Sequence, residues 1–261
     1  MSMAYTIAIA NEKGGVAKTT TALSLAGAFV EQNQEVLLID LDAQSNLTLA
    51  LGINPAHVRR SITDVLLSAA TPISASLDTS VPGIDLIPAN AEMELAERFL
   101  PVRHDYQYML KKAINGLAVF DFIIIDCPPS LGAVTTNGLT AAHLLIIPSQ
   151  AEYFSVHALK STIMKVHRVR KQNNPNLIYK ILITMLDQRN RIHRSMSAQL
   201  LIAFGEFMFE TAIGIDTKLR ESAVAALPIT HYNSKCRSAY QYRTLAQEIM
   251  QHVHQTTAQP A

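Results

Sequence analysis

Residues 5–32 place a short apolar run, a loop with two adjacent glycines, and a helix-like stretch in that order, and no other part of the chain constrains the fold as strongly. Tyr5 to Ala10 reads as a strand, and Lys18 to Gln32 reads as a helix. The same alternation continues. Val36 to Asp40 is a second strand, apolar almost throughout, as expected where both faces are covered. Asp64 to Ala70 is a short helix, Ile84 to Pro88 a strand, Ala91 to Leu100 and Tyr106 to Ile114 helices. Phe120 to Asp126 is a buried strand stopped by Pro128 and Pro129. Leu144 to Pro148 is the next strand, followed by a long helix from about Val156 to Gln172. Leu177 to Met185 is a strand, Met196 to Phe204 a helix, Phe209 to Ile213 a last short strand, and Ser238 to His254 a closing helix. Such a series predicts an α/β fold: a doubly wound, mostly parallel sheet flanked by helices. The 261 residues suit one large domain over 1–261, and a first strand at Tyr5 leaves no room for a preceding helix-turn-helix domain. The stretch from Asn54 to Val81 is the least regular.

Composition narrows the class of function. Hydrophobic residues make up 49% and charged residues 16%, enough for a sizeable core. The formal net charge is +1, so any nucleic-acid surface must be a local basic patch. Two cysteines, Cys127 and Cys236, make no disulfide framework and no Cys-x-x-Cys metal site, which fits a reducing cytoplasm. Met1 to Ala10 lacks the pattern of a signal peptide, and no apolar run reaches the length of a membrane span. The nine histidines show no metal-ligand spacing.

In parallel sheets ligands gather at the C-terminal strand ends. After the first strand come Asn11-Glu12-Lys13-Gly14-Gly15-Val16-Ala17-Lys18-Thr19-Thr20. The glycines let backbone N–H groups approach a ligand, and the helix start adds partial positive charge, so Lys13 to Thr20 predict a phosphate cradle. Lys18 is placed to reach terminal phosphates, and the Thr19 hydroxyl to ligate magnesium. The alternative is a glycine turn with two solvated lysines, which the strand-to-helix context disfavours.

The second strand ends in Asp40-Leu41-Asp42-Ala43-Gln44, and alternation puts Asp40 and Asp42 on one side. The strand ending in Asp126 runs into Cys127-Pro128-Pro129-Ser130. A carboxylate after four apolar residues fits magnesium binding, directly or through water. Either aspartate alone can equally cap a following turn. Cys127 reads as a small buried neighbour rather than a nucleophile.

The loop departs from the common G-x-x-x-x-G-K-[ST] pattern at Glu12 and Ala17, and resembles instead the deviant Walker A motif, K-G-G-x-G-K-[ST], of the ParA/MinD family. Asp40 to Gln44 resembles that family's D-x-D-P-Q, with Ala43 for proline. Thr136 to Ala142 resembles T-x-N-A-L-x-A-A, and Ile147 to Tyr153 resembles I-P-x-Q-x-E-Y. Asp187-Gln188-Arg189 and Leu219 to Ser222 resemble D-x-R and L-x-E-A. The resemblance spans nearly the whole chain and is nearest to the small ParA/Soj type. It implies an ATPase with ATP and Mg2+ as cofactors, weak alone and stimulated by a partner. It implies that Lys13 crosses a homodimer interface to the partner's nucleotide, that Asp40 supports the magnesium shell, and that Asp42 orients the attacking water. Two departures stand out. Ala17 replaces a glycine, and Ile213-Gly214-Ile215 stands where the family often has I-P-R beside adenine.

In that family the ATP dimer binds DNA without sequence preference, through basic side chains. Here Arg189, Arg191 and Arg194 follow one strand, Lys218 and Arg220 the last, and Lys235, Arg237 and Arg243 flank the closing helix. Arg189, Lys218, Arg220, Lys235 and Arg237 are the candidate DNA contacts, against the plain alternative of solvated charges. Lys160, Lys165, Arg168, Arg170 and Lys171 read as a solvated helix face. The resemblance implies plasmid or chromosome partition with a ParB-like partner, in a bacterial cytoplasm on the nucleoid. A positioning ATPase for a non-DNA cargo uses the same chemistry. A MinD-like membrane cycle needs a basic amphipathic C-terminal anchor, and residues 252–261 are polar and carry no Lys or Arg.

Overall fold

The computed structural model describes residues 4–152 and 155–258; Tyr153 and the end of the polar tail, Gln259-Pro260-Ala261, lie outside the described residues. The seven strands are β1 (Tyr5–Ile9), β2 (Val36–Asp40), β3 (Leu77–Asp78), β4 (Ile84–Ile87), β5 (Phe122–Asp126), β6 (Leu144–Gln150) and β7 (Ile178–Thr184). They form one sheet in the order β3-β4-β2-β5-β1-β6-β7, parallel throughout except for the edge pair β3 and β4. The described helices are α1 (Lys18–Val30), α2 (Asn46–Ala50), α3 (Ile62–Leu67), α4 (Pro72–Ala75), α5 (Met93–Phe99), α6 (Met109–Ile114), α7 (Ala133–Ala141), α8 (Ser155–Gln172), α9 (Arg191–Phe204), α10 (Lys218–Val224), α11 (Ile229–Tyr232) and α12 (Arg237–Ala258).

Side-chain alternation along each strand feeds two cores, one per face. From β5, Phe122 and Ile124 join the core under α1, α2, α11 and α12, whereas Ile123 and Ile125 join the core under α3, α5, α6, α7 and α8. Phe29 of α1 stacks on Phe122 at 4.0 Å. Each such fully buried aliphatic or aromatic side chain contributes about 1.5–3 kcal/mol over leaving it in water. The doubly wound expectation is therefore met, and the near-continuous apolar runs are explained by helices on both sides.

Register then fixes the site. Asp126 is the direct partner of Ile9 on one side and of Asp40 on the other, so two carboxylates end adjacent strands at the same level. The sheet opens into the phosphate loop beside them.

One expected strand is absent. Phe209 to Ile213 meets β7 through two separate hydrogen bonds, Phe209 N to Ile181 O at 3.0 Å and Ile213 N to Ile183 O at 2.8 Å, flanked by isolated bridges at Met208 and Gly214 rather than by a ladder. The cause lies in α12: Glu248 accepts the Glu210 and Thr211 N–H groups at 2.9 and 3.2 Å, which takes them off the ladder. Two further boundaries shift. The helix expected from Met196 begins at Arg191, because the Asn190 side chain accepts from Ile192 N and caps it. Residues 106–114 divide into a 3-10 turn, Tyr106–Tyr108, and α6.

Candidate functional site

The phosphate loop leaves β1 at the centre of the sheet. Asn11 organises its entry: its carbonyl oxygen accepts from Lys13 N at 3.0 Å, and its amide donates to Pro148 O at 2.7 Å. Gly15 adopts φ +71°, and a Cβ added at Gly14 or Gly15 would meet nothing within 4 Å. The glycines thus border open space in front of the loop amides rather than a packed wall, as a cradle for an anion requires. Gln150 and Thr184 hold the loop from β6 and β7, donating to Gly15 O at 3.2 Å and Val16 O at 3.1 Å.

Ala17 stands before α1 in the left-handed region, at φ 66° and ψ 35°. An L-alanine there costs on the order of 1 kcal/mol relative to glycine. Alanine at this position is therefore accommodated in the left-handed conformation at a local energetic cost.

Lys18 is buried, and its ammonium donates back to Lys13 O at 3.2 Å. Burial pulls its pKa below the ordinary value, while Asp126 and Asp42 push it back up. Thr19 donates its hydroxyl to Asp126 Oδ2 at 2.6 Å. The other oxygen, Asp126 Oδ1, is buried and has no hydrogen-bond partner among the described residues. Burial first, and then Asp40, raise the Asp126 carboxyl well above the usual range. Asp40 differs: its Oδ1 accepts from Asp42 N, and its Oδ2 from Thr48 N and Thr48 Oγ1, at 2.8–3.0 Å. Burial pushes its pKa up to about 6 despite these donors. Asp42 is buried to 9% exposure and accepts from Gln44 N at 3.0 Å through Oδ1.

This donor set suits magnesium. A hydroxyl and an orphaned carboxylate oxygen sit side by side at the mouth of a phosphate cradle, and Mg2+ is commonly held by one or two protein ligands plus phosphate and water. No group of three or more His, Cys, Asp or Glu with metal-holding geometry exists among the described residues, which excludes a cage of protein ligands and not this kind of site. Cys127 is buried, with its thiol pKa raised by burial, matching its reading as an inert neighbour.

Lys13 folds onto its own chain. Its ammonium donates to Gln150 Oε1 and Glu152 Oε2, both at 2.8 Å, and to Ser155 Oγ at 3.4 Å. Sequence reasoning gave Gln150 and Glu152 no role and passed over Asn11, Thr48 and Thr184. Their signal was position alone: all but Thr48, which lies in α2, stand at or just past the C-terminal end of a strand.

A cleft of about 490 Å³ opens beside Ala17 and Thr20, lined also by Met185, Gly214, Ile215 and Leu219. It has the apolar floor and the placement for a base and ribose. At Gly214, an added Cβ would come within 3.2 Å of the Arg237 guanidinium, which itself donates to Ile215 O. Arg237 therefore fills the space that a side chain at 214 would take.

Three of the basic candidates lie along this same edge. Arg189 and Arg237 line one cleft, and Arg220 lines the adjoining cleft beside Ala17. Arg189, Arg220, Lys235 and Arg237 are exposed. Arg189 pairs with Asp187, at 3.1 Å for the nearest contact, and Lys218 pairs with Glu221 at 2.7 Å. Arg243 instead clamps Glu31 at 2.6 Å and is a tie between α12 and α1.

Known proteins are similar to this chain over most of its length. The AAA domain family matches residues 4–179. The chromosome partitioning protein ParA of Caulobacter vibrioides is 35% identical over 248 residues, covering 94% of this chain and 93% of that protein. The sporulation initiation inhibitor protein Soj of Bacillus subtilis is 36% identical over 249 residues, covering 95% and 98%. A crystal structure of cobyrinic acid a,c-diamide synthase from Mycobacterium smegmatis, with bound ADP and magnesium, superposes with a TM-score of 0.82 at 36% identity, covering 97% of this chain and 96% of that one.

Proposed function

Because this chain belongs to the ParA/Soj family of partition ATPases, we propose that it is a switch that dimerises around Mg-ATP, binds DNA without sequence preference in that state, and is reset by hydrolysis. It is an ATP-hydrolysing enzyme with ATP and Mg2+ as cofactors. The observation that carries the site assignment is the orphaned Asp126 Oδ1 beside the Thr19 hydroxyl, at the mouth of the glycine cradle.

The amides of Gly14 to Thr20 and the Lys18 ammonium take the phosphates. Thr19 and Asp126 hold magnesium, and Asp40 supports that shell by fixing the Asp42–Thr48 segment with both its oxygens. Bound Mg2+ supplies charge neutralisation on the phosphate oxygens. Asp42 orients the attacking water. Lys13 leaves Glu152 and Gln150 to reach the nucleotide of a second copy, so the intrachain pair competes with dimerisation. Arg189, Lys218, Arg220, Lys235 and Arg237 contact DNA phosphates, and a ParB-like partner triggers hydrolysis. The work is plasmid or chromosome partition, on the nucleoid in the cytoplasm. None of the described helices is long and apolar enough to cross a membrane. The diamide synthase structure, similar over 97% of this chain, holds ADP and magnesium, which supports this reading.

The test is retention of a non-specific DNA duplex with ATP, with ADP and without nucleotide, at two salt concentrations. Retention only with ATP, falling with salt, is the expected result. Arg189→Ala should weaken retention and leave ATP-dependent dimerisation intact. Absence of DNA binding in every state, with ATP still bound, sinks the DNA surface.

A further inference from the structure

We infer that Glu97, on α5, is a positioning residue for the magnesium carboxylate Asp126. The inference rests on the assignment of Asp126 above and concerns how that residue is kept in place.

The loop after β5 leaves Asp126 through Cys127, Pro128, Pro129, Ser130 and Leu131 and enters α7 at Ala133. Pro129 and Ser130 are exposed. The backbone of the strand end is held on both sides, Leu41 N donating to Asp126 O at 2.9 Å and Cys127 N to Ile9 O at 3.0 Å, but the sheet does not hold the exposed loop that follows. Its far end is instead held. Glu97 accepts Ala133 N at 2.7 Å through one carboxylate oxygen and Val134 N at 2.9 Å through the other. These are first-turn amides that a helix leaves without internal partners, and Gly132 offers no side chain to cap them. The cap comes from a residue 36 positions earlier, on a different helix. A carboxylate there is also favoured by the helix dipole.

Two further hydrogen bonds tighten the clamp. Thr135 Oγ1 donates to Ser130 O at 2.5 Å, and Thr136 Oγ1 to Gly132 O at 2.7 Å, which closes the loop onto the first turn of α7. Residues 133–141 are all buried, so the helix body has no freedom of its own. A Cβ at Gly138 would stand 3.0 Å from Cys127 Sγ, so α7 lies directly against the residue that follows Asp126. The position of α7 is thereby transmitted to Asp126 over one residue. Gly132 has a role that its φ of −81° does not require. A Cβ there would lie 1.7 Å from Glu97 Oε1, so the absence of a side chain admits the carboxylate.

Glu97→Gln keeps one accepting oxygen and turns an amide N–H toward the second backbone N–H. Gly132→Ala expels the carboxylate while leaving Glu97 in the chain. The experiment titrates Mg2+ by calorimetry into full-length protein saturated with a non-hydrolysable ATP analogue, for wild type, both variants, and the double variant Glu97→Ala with Gly132→Ala. Backbone amide exchange at Ala133 and Val134 is followed in the nucleotide-free protein. Supporting partners of metal ligands shift metal affinity by about 10–100-fold, and roughly tenfold weaker Mg2+ uptake is expected in both single variants. Analogue binding in EDTA should change less than about twofold, because the glycine cradle is untouched, and exchange at the two amides should accelerate. The double variant, which removes both the clash and the clamp, should remain about tenfold weak.

Unchanged Mg2+ uptake in Glu97→Gln, with only a lower melting temperature, overturns the inference and leaves Glu97 as a helix cap. Restored uptake in the double variant also overturns it, since the Gly132→Ala effect would then be a clash alone. Wild-type protein that takes up no magnesium overturns the Asp126 assignment, and the inference with it.

Discussion

The two ends of the sheet are built on opposite principles. At the C-terminal end, Asp40, Asp42, Asp126 and Lys18 are buried within one small volume, one carboxylate oxygen has no partner, and an alanine is held left-handed. At the N-terminal end the polar groups are matched. His143 Nδ1 accepts Thr6 N at 2.9 Å, and the ring stacks on Tyr5 at 5.0 Å. Asn174 donates to Leu139 O and Ala142 O at 3.1 and 2.7 Å. Uncompensated charge at the first end destabilises the folded chain until a ligand arrives, and satisfied hydrogen bonds at the second stabilise it throughout. The lesson is that stability and function are separated along the strand direction.

Lys18→Ala should have the largest effect. It removes the one buried cation at the site, and nucleotide titration should show loss of ATP binding by 100-fold or more, on the order of 3 kcal/mol. ATP affinity within tenfold of wild type would break the comparison at its centre. Asp126→Asn should come next, with opposite signs on two readouts. Hydrolysis should fall to background, while the nucleotide-free melting temperature rises by about 2–6 °C at pH 8. The sign follows from linkage: a carboxyl whose folded pKa is raised contributes its stability below the unfolded value near 3.8 and loses it as pH rises through the folded pKa. The gain from asparagine should therefore shrink as pH falls, and a gain independent of pH would refute the charge argument.

The opposite end supplies the mirror test. His143→Ala leaves Thr6 N without its acceptor and should cost about 1–3 kcal/mol above pH 7. Burial, with Lys111 adding to it, lowers the His143 pKa below 6.5. Its contribution is present above that value and lost as pH falls through the folded pKa, so the penalty of the variant should narrow in acid. A penalty that widens in acid would reverse the sign assigned to this end. Ala17→Gly should have the smallest effect, a gain of up to about 1 kcal/mol in the nucleotide-free protein, read as a small rise in melting temperature.

Much of this contrast was legible in the sequence at the functional end. The strand, glycine turn and helix, and the aspartates closing two apolar runs, lie within short windows, where periodicity and motif carry the information. Asp40 and Asp126 could be nominated singly, but their level register follows only from the neighbouring of β2 and β5. What stayed hidden depends on partners remote in sequence. Phe209 to Ile213 has strand composition, and Glu248 on a distant helix denies it the ladder. The two-residue edge strand Leu77–Asp78 is too short for any periodic signal. Lys13 was read for what it reaches in a second copy, and its intrachain acceptors lie 137 and 139 residues away. Nothing local marks the amides that Glu97 caps, which lie 36 and 37 residues away. The closing helix was legible as a helix, but not the helix it packs on.

That last contact has a consequence for the order of events during synthesis. Tyr242 of α12 is fully buried, and its hydroxyl shares a hydrogen bond with Thr21 Oγ1 at 3.2 Å, across 221 residues. The helix that begins with Lys18 rests on one that the ribosome makes some 221 residues later. At about 5–20 residues per second, some ten to forty seconds separate the emergence of the phosphate loop from that of the support beneath it. The phosphate loop is thus made well before the helix that braces it.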